Sequence, residues 1–250
     1  MIRALLLATA ACALATPVLA EDIRLLGTGA VKHAVQDISA AFEKETGDKV
    51  IADFGTAGVV GKRVEAGEKA DIVLSSLGGL RELKAKLAEG EPIVVGRVRM
   101  GMAGKPGAPK IDISTPEKFK DALIAAPAVA YADPQQGSTT GVHFGKVLEQ
   151  IGVADQVKAK AVLGKDGFDV GKAVADGKAP IGFTQATEIQ AVPGAEVTGF
   201  MPDAYQLVSS YAIALTKEGE TNPAAKALYA RITGPKGADV FAHQGFEVKK

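Results

Sequence analysis

Residues 23–42 read IRLLGTGAVKHAVQDISAAF, and their pattern is the clearest indication of how the chain folds. A short apolar run comes first, a Gly/Thr turn follows, and apolar residues then recur at positions 31, 35, 38 and 42. That recurrence is the spacing of one face of an amphipathic helix. The stretch therefore predicts a strand over 23–26 and a helix over 30–44.

The same alternation continues along the chain. It predicts a strand over 49–54, a helix over 59–66, a strand over 71–74 and a helix near 79–88. The order β-α-β-α-β is typical of a parallel sheet with right-handed crossovers. Ligands of such sheets bind at the carboxyl ends of the strands, where Thr28, Thr56 and Ser75 fall.

A second α/β unit follows two chain crossings, which are strand-like runs near 95–102 and 205–214. Together they predict two lobes with a cleft and a hinge: lobe 1 spans 21–98 and 209–250, and lobe 2 spans 99–208. The elements predicted beyond the first unit are strands over 94–102, 128–132, 181–183, 196–200 and 207–215, and helices beginning at 114–117 and covering 142–151, 170–176, 223–232 and 235–243.

The first twenty residues predict a secretory signal and hence a periplasmic protein. Arg3 precedes an apolar core, and Val18-Leu19-Ala20 forms a small-residue cleavage site. Lipoprotein cleavage before Cys12 is the alternative, but Thr9-Ala10-Ala11 fits it poorly. Because Cys12 lies inside the signal, the mature chain has no cysteine for a disulfide. No later run approaches the ~20 apolar residues of a membrane span, so we expect no membrane insertion of the mature chain.

Composition narrows the range of possible ligands. The 29 basic and 29 acidic residues balance and form no long run, which argues against a nucleic-acid or membrane-surface partner. Without tryptophan, a site that stacks sugars or bases is disfavoured. Neither zinc-type His/Glu spacing nor a phosphate-binding loop is present, so neither metal nor cofactor is expected. The ligand class that remains is a small polar solute.

Three Gly/Thr/Ser segments precede predicted helices: 27–30, 55–58 and 137–141. At a helix start the first backbone N–H groups lack intrahelical partners and carry the positive end of the dipole, so they bind anions. Ordinary N-capping by Ser and Thr is the alternative explanation for each segment. Three together predict a site that surrounds a compact anion with uncharged donors.

In order along the chain, FGTAG at 54–58, ADIV at 70–73, ADP at 132–134 and GKAPIGF at 177–183 accompany the AFEKETG run at 41–47. With the signal, these segments make nearly all of the mature chain resemble the periplasmic molybdate-binding-protein family. The resemblance implies a type II periplasmic binding fold that serves an ABC-type importer with its permease. No single motif is diagnostic, but their order and spacing are fairly specific.

The chain departs from that family at the ligand. The resemblance places molybdate-binding hydroxyls at two loops and a tyrosine in the second lobe, and those positions are Ala30, Ala57 and Gln185 here. Losing one buried donor to a polar ligand costs about 1–3 kcal/mol, so we do not predict molybdate. The hydroxyl-rich third segment favours a di- or tricarboxylate. The full set of predicted ligand-binding residues is Thr28, Gly29, Ala30, Thr56, Ala57, Ser75, Arg99, Gln136, Gly137, Ser138, Thr139, Thr140, Gln185 and Tyr205.

Four polar side chains have two interpretations each. Arg99, on the first crossing, can bind a carboxylate bidentately or pair with a surface acid. Tyr205 can close over the ligand or pack at the hinge. His33 and His143 follow the first and third segments, where each is either solvated or a base at the cleft rim.

The sequence thus predicts an extracytoplasmic solute-binding protein for a small anion, with an organic polycarboxylate favoured. A related set of molybdate-binder-like proteins includes aconitate isomerase, so a periplasmic isomerase of an unsaturated tricarboxylate is the alternative. That reaction needs a proton shuttle, for which the sequence assigns no catalytic residue. A molybdate or tungstate binder with backbone donors alone is the third possibility.

Overall fold

A computed structural model describes residues 22–248. The predicted signal, residues 1–20, lies outside the described residues. The predicted opening unit is confirmed as β1 (Asp22–Thr28), a 3₁₀ turn (Gly29–Val31) and α1 (Lys32–Thr46). The helix buries its apolar face and ends at Gly47, whose φ of 84° is the left-handed conformation that glycine adopts most readily.

The next elements follow the predicted βαβ order. Strand β1 pairs in parallel with β2 (Lys49–Gly55) on one side and with β3 (Ile72–Ser76) on the other, so that the sheet begins in the order β2-β1-β3. Thr28 and Thr56 therefore come to the same edge, as expected for strand ends. The elements are β2 (Lys49–Gly55), α2 (Ala57–Glu65), β3 (Ile72–Ser76) and α3 (Leu77–Glu82), with a 3₁₀ turn at Lys84–Lys86.

The rest of the chain adds a second set of strands and the closing helices. These are β4 (Ile93–Gly104), α4 (Pro116–Ala125), β5 (Val129–Ala132), α5 (Thr139–Gln150), α6 (Ala154–Lys158), β6 (Ala161–Gly164), α7 (Gly167–Ala175), β7 (Ile181–Gln185), α8 (Ala186–Gln190), β8 (Glu196–Phe200), β9 (Val208–Leu215), α9 (Pro223–Thr233) and α10 (Pro235–His243). Further 3₁₀ turns lie at Pro134–Gln136, Asp203–Tyr205 and Gly219–Thr221.

Strands β4 and β9 connect the two sets. The sheet order is β2-β1-β3-β9-β4-β7-β5-β6, with β8 on β4. Along β4 the partner changes from β9, at the Arg99–Val208 pair, to β7, at the Met100–Gln185 pair. We call the side with β1 to β3 the first half and the side with β5 to β7 the second half. The predicted lobe bounds at 98/99 and 208/209 stay a prediction.

Three elements of the second half were not predicted: α6, β6 and α8. Each has only four or five residues, which is too short to show a reliable period. Helix α7 also begins at Gly167, earlier than the predicted 170, because Asp166 accepts the Asp169 N–H as its N-cap.

Each half has its own apolar core. Phe119, Phe144 and Phe183 are fully buried in the second half, with ring centroids of Phe144 and Phe183 4.9 Å apart. In the first half, α1, α9 and α10 pack Phe42 and Phe241 beneath the sheet. Burying each such side chain stabilises the fold by about 1.5–3 kcal/mol. Between residues 22 and 248, no helix is both long and apolar enough to cross a membrane.

Candidate functional site

A pocket lies between the two halves, at the carboxyl ends of the strands. Both halves contribute to its lining, and the connecting strand β9 contributes Tyr211. The lining consists of Thr28, Gly29, Ala30, Gly55, Thr56, Ala57, Ser138, Thr139, Thr140, Asp166, Gly167, Gln185, Glu188 and Tyr211.

Four helix starts meet in this lining. They are the 3₁₀ turn after Thr28, α2 after Thr56, α5 after Ser138 and α7 after Asp166. Each brings backbone N–H groups without intrahelical partners, and the three α-helices add the positive ends of their dipoles. Among the lining residues that the structure describes, none carries a cationic side chain. The pocket thus suits a small anion bound by uncharged donors.

Thr28 lines the pocket and has a buried hydroxyl group. Its side chain does not cap the helix that follows, and it is only 4% exposed. Within the described part of the chain its Oγ1 atom has no hydrogen-bond partner, and neither has Oε1 of Gln185. An unpaired buried polar atom costs about 1–3 kcal/mol. A ligand acceptor that pairs with the Thr28 hydroxyl recovers that free energy, whereas the Gln185 oxygen accepts and therefore needs a donor such as a hydroxyl or a protonated carboxyl group.

Thr56 and the third Gly/Ser/Thr segment bridge the halves. The Thr56 hydroxyl accepts the Val59 N–H at 3.2 Å and donates to the Gln136 carbonyl at 2.5 Å. Beside it, the Gly58 N–H donates to the Gly137 carbonyl at 3.0 Å. Thr56 is therefore engaged in a contact between the halves as well as lining the pocket.

A row of buried hydroxyls leads from the third segment to a carboxyl group. Ser138 Oγ lies 3.1 Å from Thr140 Oγ1, which lies 3.4 Å from Thr184 Oγ1. The Thr184 hydroxyl donates to Glu188 Oε2 at 2.7 Å. Hydroxyls both donate and accept, so this row can reorient with the protonation state of Glu188.

Glu188 is the unusual group of the pocket. It is 7% exposed, and burial raises its pKa from an ordinary 4.5 to about 7; the hydrogen bond from Thr184 opposes this shift and the nearby Asp166 charge adds to it. Burial also raises the pKa of Tyr211, with a contribution from the Glu188 charge, so the phenol remains a neutral donor. The pocket therefore holds a carboxyl group close to the midpoint of its titration at neutral pH.

Nine of the predicted ligand-binding residues line this pocket. They are Thr28, Gly29, Ala30, Thr56, Ala57, Ser138, Thr139, Thr140 and Gln185. Ser75, Gln136 and Gly137 lie outside the lining: Ser75 is buried in β3, and the other two contribute backbone carbonyls to the bridge. Ligand contact remains a prediction for the whole set.

Arg99 and Tyr205 also lie outside the lining. The Arg99 guanidinium pairs with Asp203 at 3.3 Å and lies over the Phe200 ring, 4.7 Å from its centroid. The Tyr205 ring packs on Phe119 with centroids 5.9 Å apart. Both arrangements match the second interpretation given above for each residue, surface pairing and packing.

The two histidines contact neighbouring residues. His143 Nε2 lies 2.8 Å from the Tyr205 carbonyl, and the His33 ring lies 5.5 Å from the ring of Phe168. Neither histidine is part of the pocket lining. Among residues 22–248, no group of three or more His, Cys, Asp or Glu side chains is placed to hold a metal ion.

Sequence reasoning missed five lining residues: Gly55, Asp166, Gly167, Glu188 and Tyr211. Glu188 stands three residues after Gln185, the N-cap of α8, but a capping box begins with Ser or Thr, so the sequence contains no usable signal for it. Tyr211 lies within a long strand, where no local pattern marks it as part of a site.

The architecture is that of a two-lobed ligand-binding protein, with the pocket between its halves. The family model for bacterial extracellular solute-binding proteins matches residues 23–247, and the chain belongs to that family.

Relatives cover almost the whole chain. Aconitate isomerase of Pseudomonas sp is 31% identical over 98% of this chain and 94% of its own. The molybdate-binding protein ModA of Escherichia coli (strain K12) is 25% identical over 91% of this chain and 89% of its own. The solved structure of the periplasmic molybdate-binding protein of Azotobacter vinelandii aligns with a TM-score of 0.74 at 18% identity, covering 91% of this chain and 100% of that one. The predicted type II periplasmic binding fold is confirmed.

Proposed function

We propose that this protein is a periplasmic solute-binding protein that captures a small organic polycarboxylate and delivers it to an ABC-type importer. The observation that carries the proposal is that four helix starts meet in one pocket that is also lined by Thr28, whose hydroxyl is unpaired, with no cationic side chain in the described lining. Donors from both halves then enclose the solute as the lobes close about the hinge.

Two features of the pocket support a polycarboxylate over a molybdate-type dianion. Ala30, Ala57 and Gln185 replace the donors implied by the molybdate-binding resemblance, while Glu188 adds an acidic group. An ionised carboxylate repels a second anion, whereas a neutral carboxylic acid donates a hydrogen bond to one. The Thr28 hydroxyl and the backbone N–H groups of the helix starts are donors that suit carboxylate oxygens.

Ligand class is tested with a thermal-shift panel of molybdate, tungstate, sulfate, phosphate, and di- and tricarboxylates. A ligand at 100 times its Kd stabilises the folded protein by about 2.7 kcal/mol. We expect large shifts with polycarboxylates. A shift with molybdate and tungstate alone would replace this proposal with the oxyanion binder.

Thr28→Val tests the site itself. The substitution removes a hydroxyl with no protein partner, so the ligand-free protein should gain up to about 1–3 kcal/mol of stability while affinity falls about 5- to 150-fold. Ser39→Ala is the matched control, because the Ser39 hydroxyl is also buried and has no partner among residues 22–248, but lies in α1 outside the lining. The control should gain stability and keep its affinity. Equal affinities for the two variants would exclude Thr28 as a ligand donor.

A second candidate function is isomerisation of an unsaturated tricarboxylate. Glu188 favours it, because a buried carboxyl group that titrates near neutral pH can take a proton from one carbon and return it to another as the double bond moves. The relative named aconitate isomerase adds support. Incubation with cis- or trans-aconitate, followed by proton NMR, separates the candidates: interconversion supports the enzyme, and saturable binding without turnover supports the carrier.

A further inference from the structure

We propose that Glu188 is the proton-accepting group of the pocket, so that the protein takes up about one proton at Glu188 when it captures a polycarboxylate above neutral pH. This inference rests on the proposed function and names the residue that makes ligand binding depend on pH. It concerns a side chain for which the sequence predicted no role.

Geometry gives Glu188 a fixed orientation. Thr184 donates to Oε2 at 2.7 Å. A Cβ atom at Gly167 would overlap the carboxyl group, and one at Gly29 would lie 2.9 Å from Oε1. Since Gly29 and Gly167 both line the pocket, the carboxyl group is held between two of the helix starts that face the ligand.

The surroundings of Glu188 disfavour two negative charges. Helix α8 packs against α7, β4, β7, β8 and the 3₁₀ turn at Gly29–Val31. Among the described lining residues, the other titratable groups are Asp166 and Tyr211, and neither is cationic. The charged residues on the neighbouring elements have other environments. Asp169, Lys172, Glu196 and Arg97 are exposed. Arg99 pairs with Asp203 and lies over the Phe200 ring, and Lys32 and His33 contact the Phe168 ring.

An arriving anion therefore meets Glu188 without a compensating cation. Protonation removes the repulsion and converts an acceptor into a donor for a ligand carboxylate. The hydroxyls of Thr184, Thr140 and Ser138 can reverse their hydrogen bonds to match, because each donates and accepts. Dianionic and trianionic ligands gain most from this change, which makes Glu188 a determinant of ligand charge.

The experiment is calorimetric titration at pH 8 in two buffers that differ in ionisation enthalpy. The probe is tricarballylate, a saturated tricarboxylate without a double bond to migrate. We expect an uptake close to one proton per bound probe, and an affinity that falls about tenfold per pH unit above pH 8. Glu188→Gln, which keeps the shape and stays neutral, should bind without proton uptake and with a flat pH profile.

Asp166→Asn is the matched control. Asparagine retains the N-cap of α7, and this variant should still take up the proton. Uptake that persists in Glu188→Gln and disappears in Asp166→Asn would overturn the assignment in favour of Asp166. Binding without uptake in the wild type would overturn it outright and leave the proposed function intact. If no polycarboxylate binds the wild type, the proposed function fails first.

Discussion

The contact between Gly58 and Gly137 allows a direct test of whether the two halves must close on the ligand. A Cβ atom added at Gly58 would lie 2.8 Å from the Gly137 Cα and 3.2 Å from its carbonyl oxygen. Both atoms belong to the backbone, so no side chain can turn aside. Overpacking of this kind costs about 1–3 kcal/mol.

Gly58→Ala should destabilise only the closed arrangement by that amount. An open arrangement separates the two glycines and relieves the overlap. If only the closed arrangement binds tightly, the apparent affinity for the ligand falls about 5- to 150-fold. Stability of the ligand-free protein should stay constant or rise by up to about 1 kcal/mol, because alanine favours the helix more than glycine does.

The matched control is Gly61→Ala, in the same helix. A Cβ atom at Gly61 meets nothing within 4 Å, so this variant receives the helical benefit without the overlap. Affinity is measured by calorimetric titration, and the ligand-free radius of gyration by small-angle X-ray scattering. We expect weaker binding and a larger radius for Gly58→Ala alone. Equal affinities in both variants would refute the role of closure.

Three further predictions concern the pocket and its edge. Burial holds the pKa of Glu188 at about 7 against an ordinary 4.5, so the folded protein keeps the proton more tightly than the unfolded chain. The resulting contribution to the free energy of unfolding is fully present below about pH 4.5 and is lost as the pH rises to 7. Glu188→Gln should therefore gain up to about 3 kcal/mol over the wild type between those pH values, measured by urea unfolding, and a pH-independent difference would contradict the burial argument. Gly167→Ala should lower the free energy of unfolding by about 1–3 kcal/mol, because its methyl group overlaps the Glu188 carboxyl group, whereas Gly61→Ala should not. Arg99→Ala should change the ligand Kd by less than about twofold, because the guanidinium pairs with exposed Asp203 outside the lining; a tenfold loss in titration calorimetry would restore Arg99 to the site.

Local sequence determined most of the fold. The periods of residues 23–54, together with the Gly and Thr residues between elements, are sufficient for β1, α1 and β2, since strand and helix periods are properties of neighbouring residues. The same signals predicted nine of the residues that line the pocket, because parallel strands end at one edge of the sheet. Short elements such as α8 carried too few residues for a period to appear.

Tertiary structure alone decided which polar groups line the pocket. Arg99 lies on the first crossing as predicted, whereas Tyr205 lies in a 3₁₀ turn before β9, and the two residues pack against Phe200 and Phe119 outside the lining. Glu188 enters it from a five-residue helix, and its pKa depends on burial between elements far apart in the chain. A sequence fixes where donors can fall along each strand and helix, but desolvation and charge interactions depend on distances that exist only once both halves are packed.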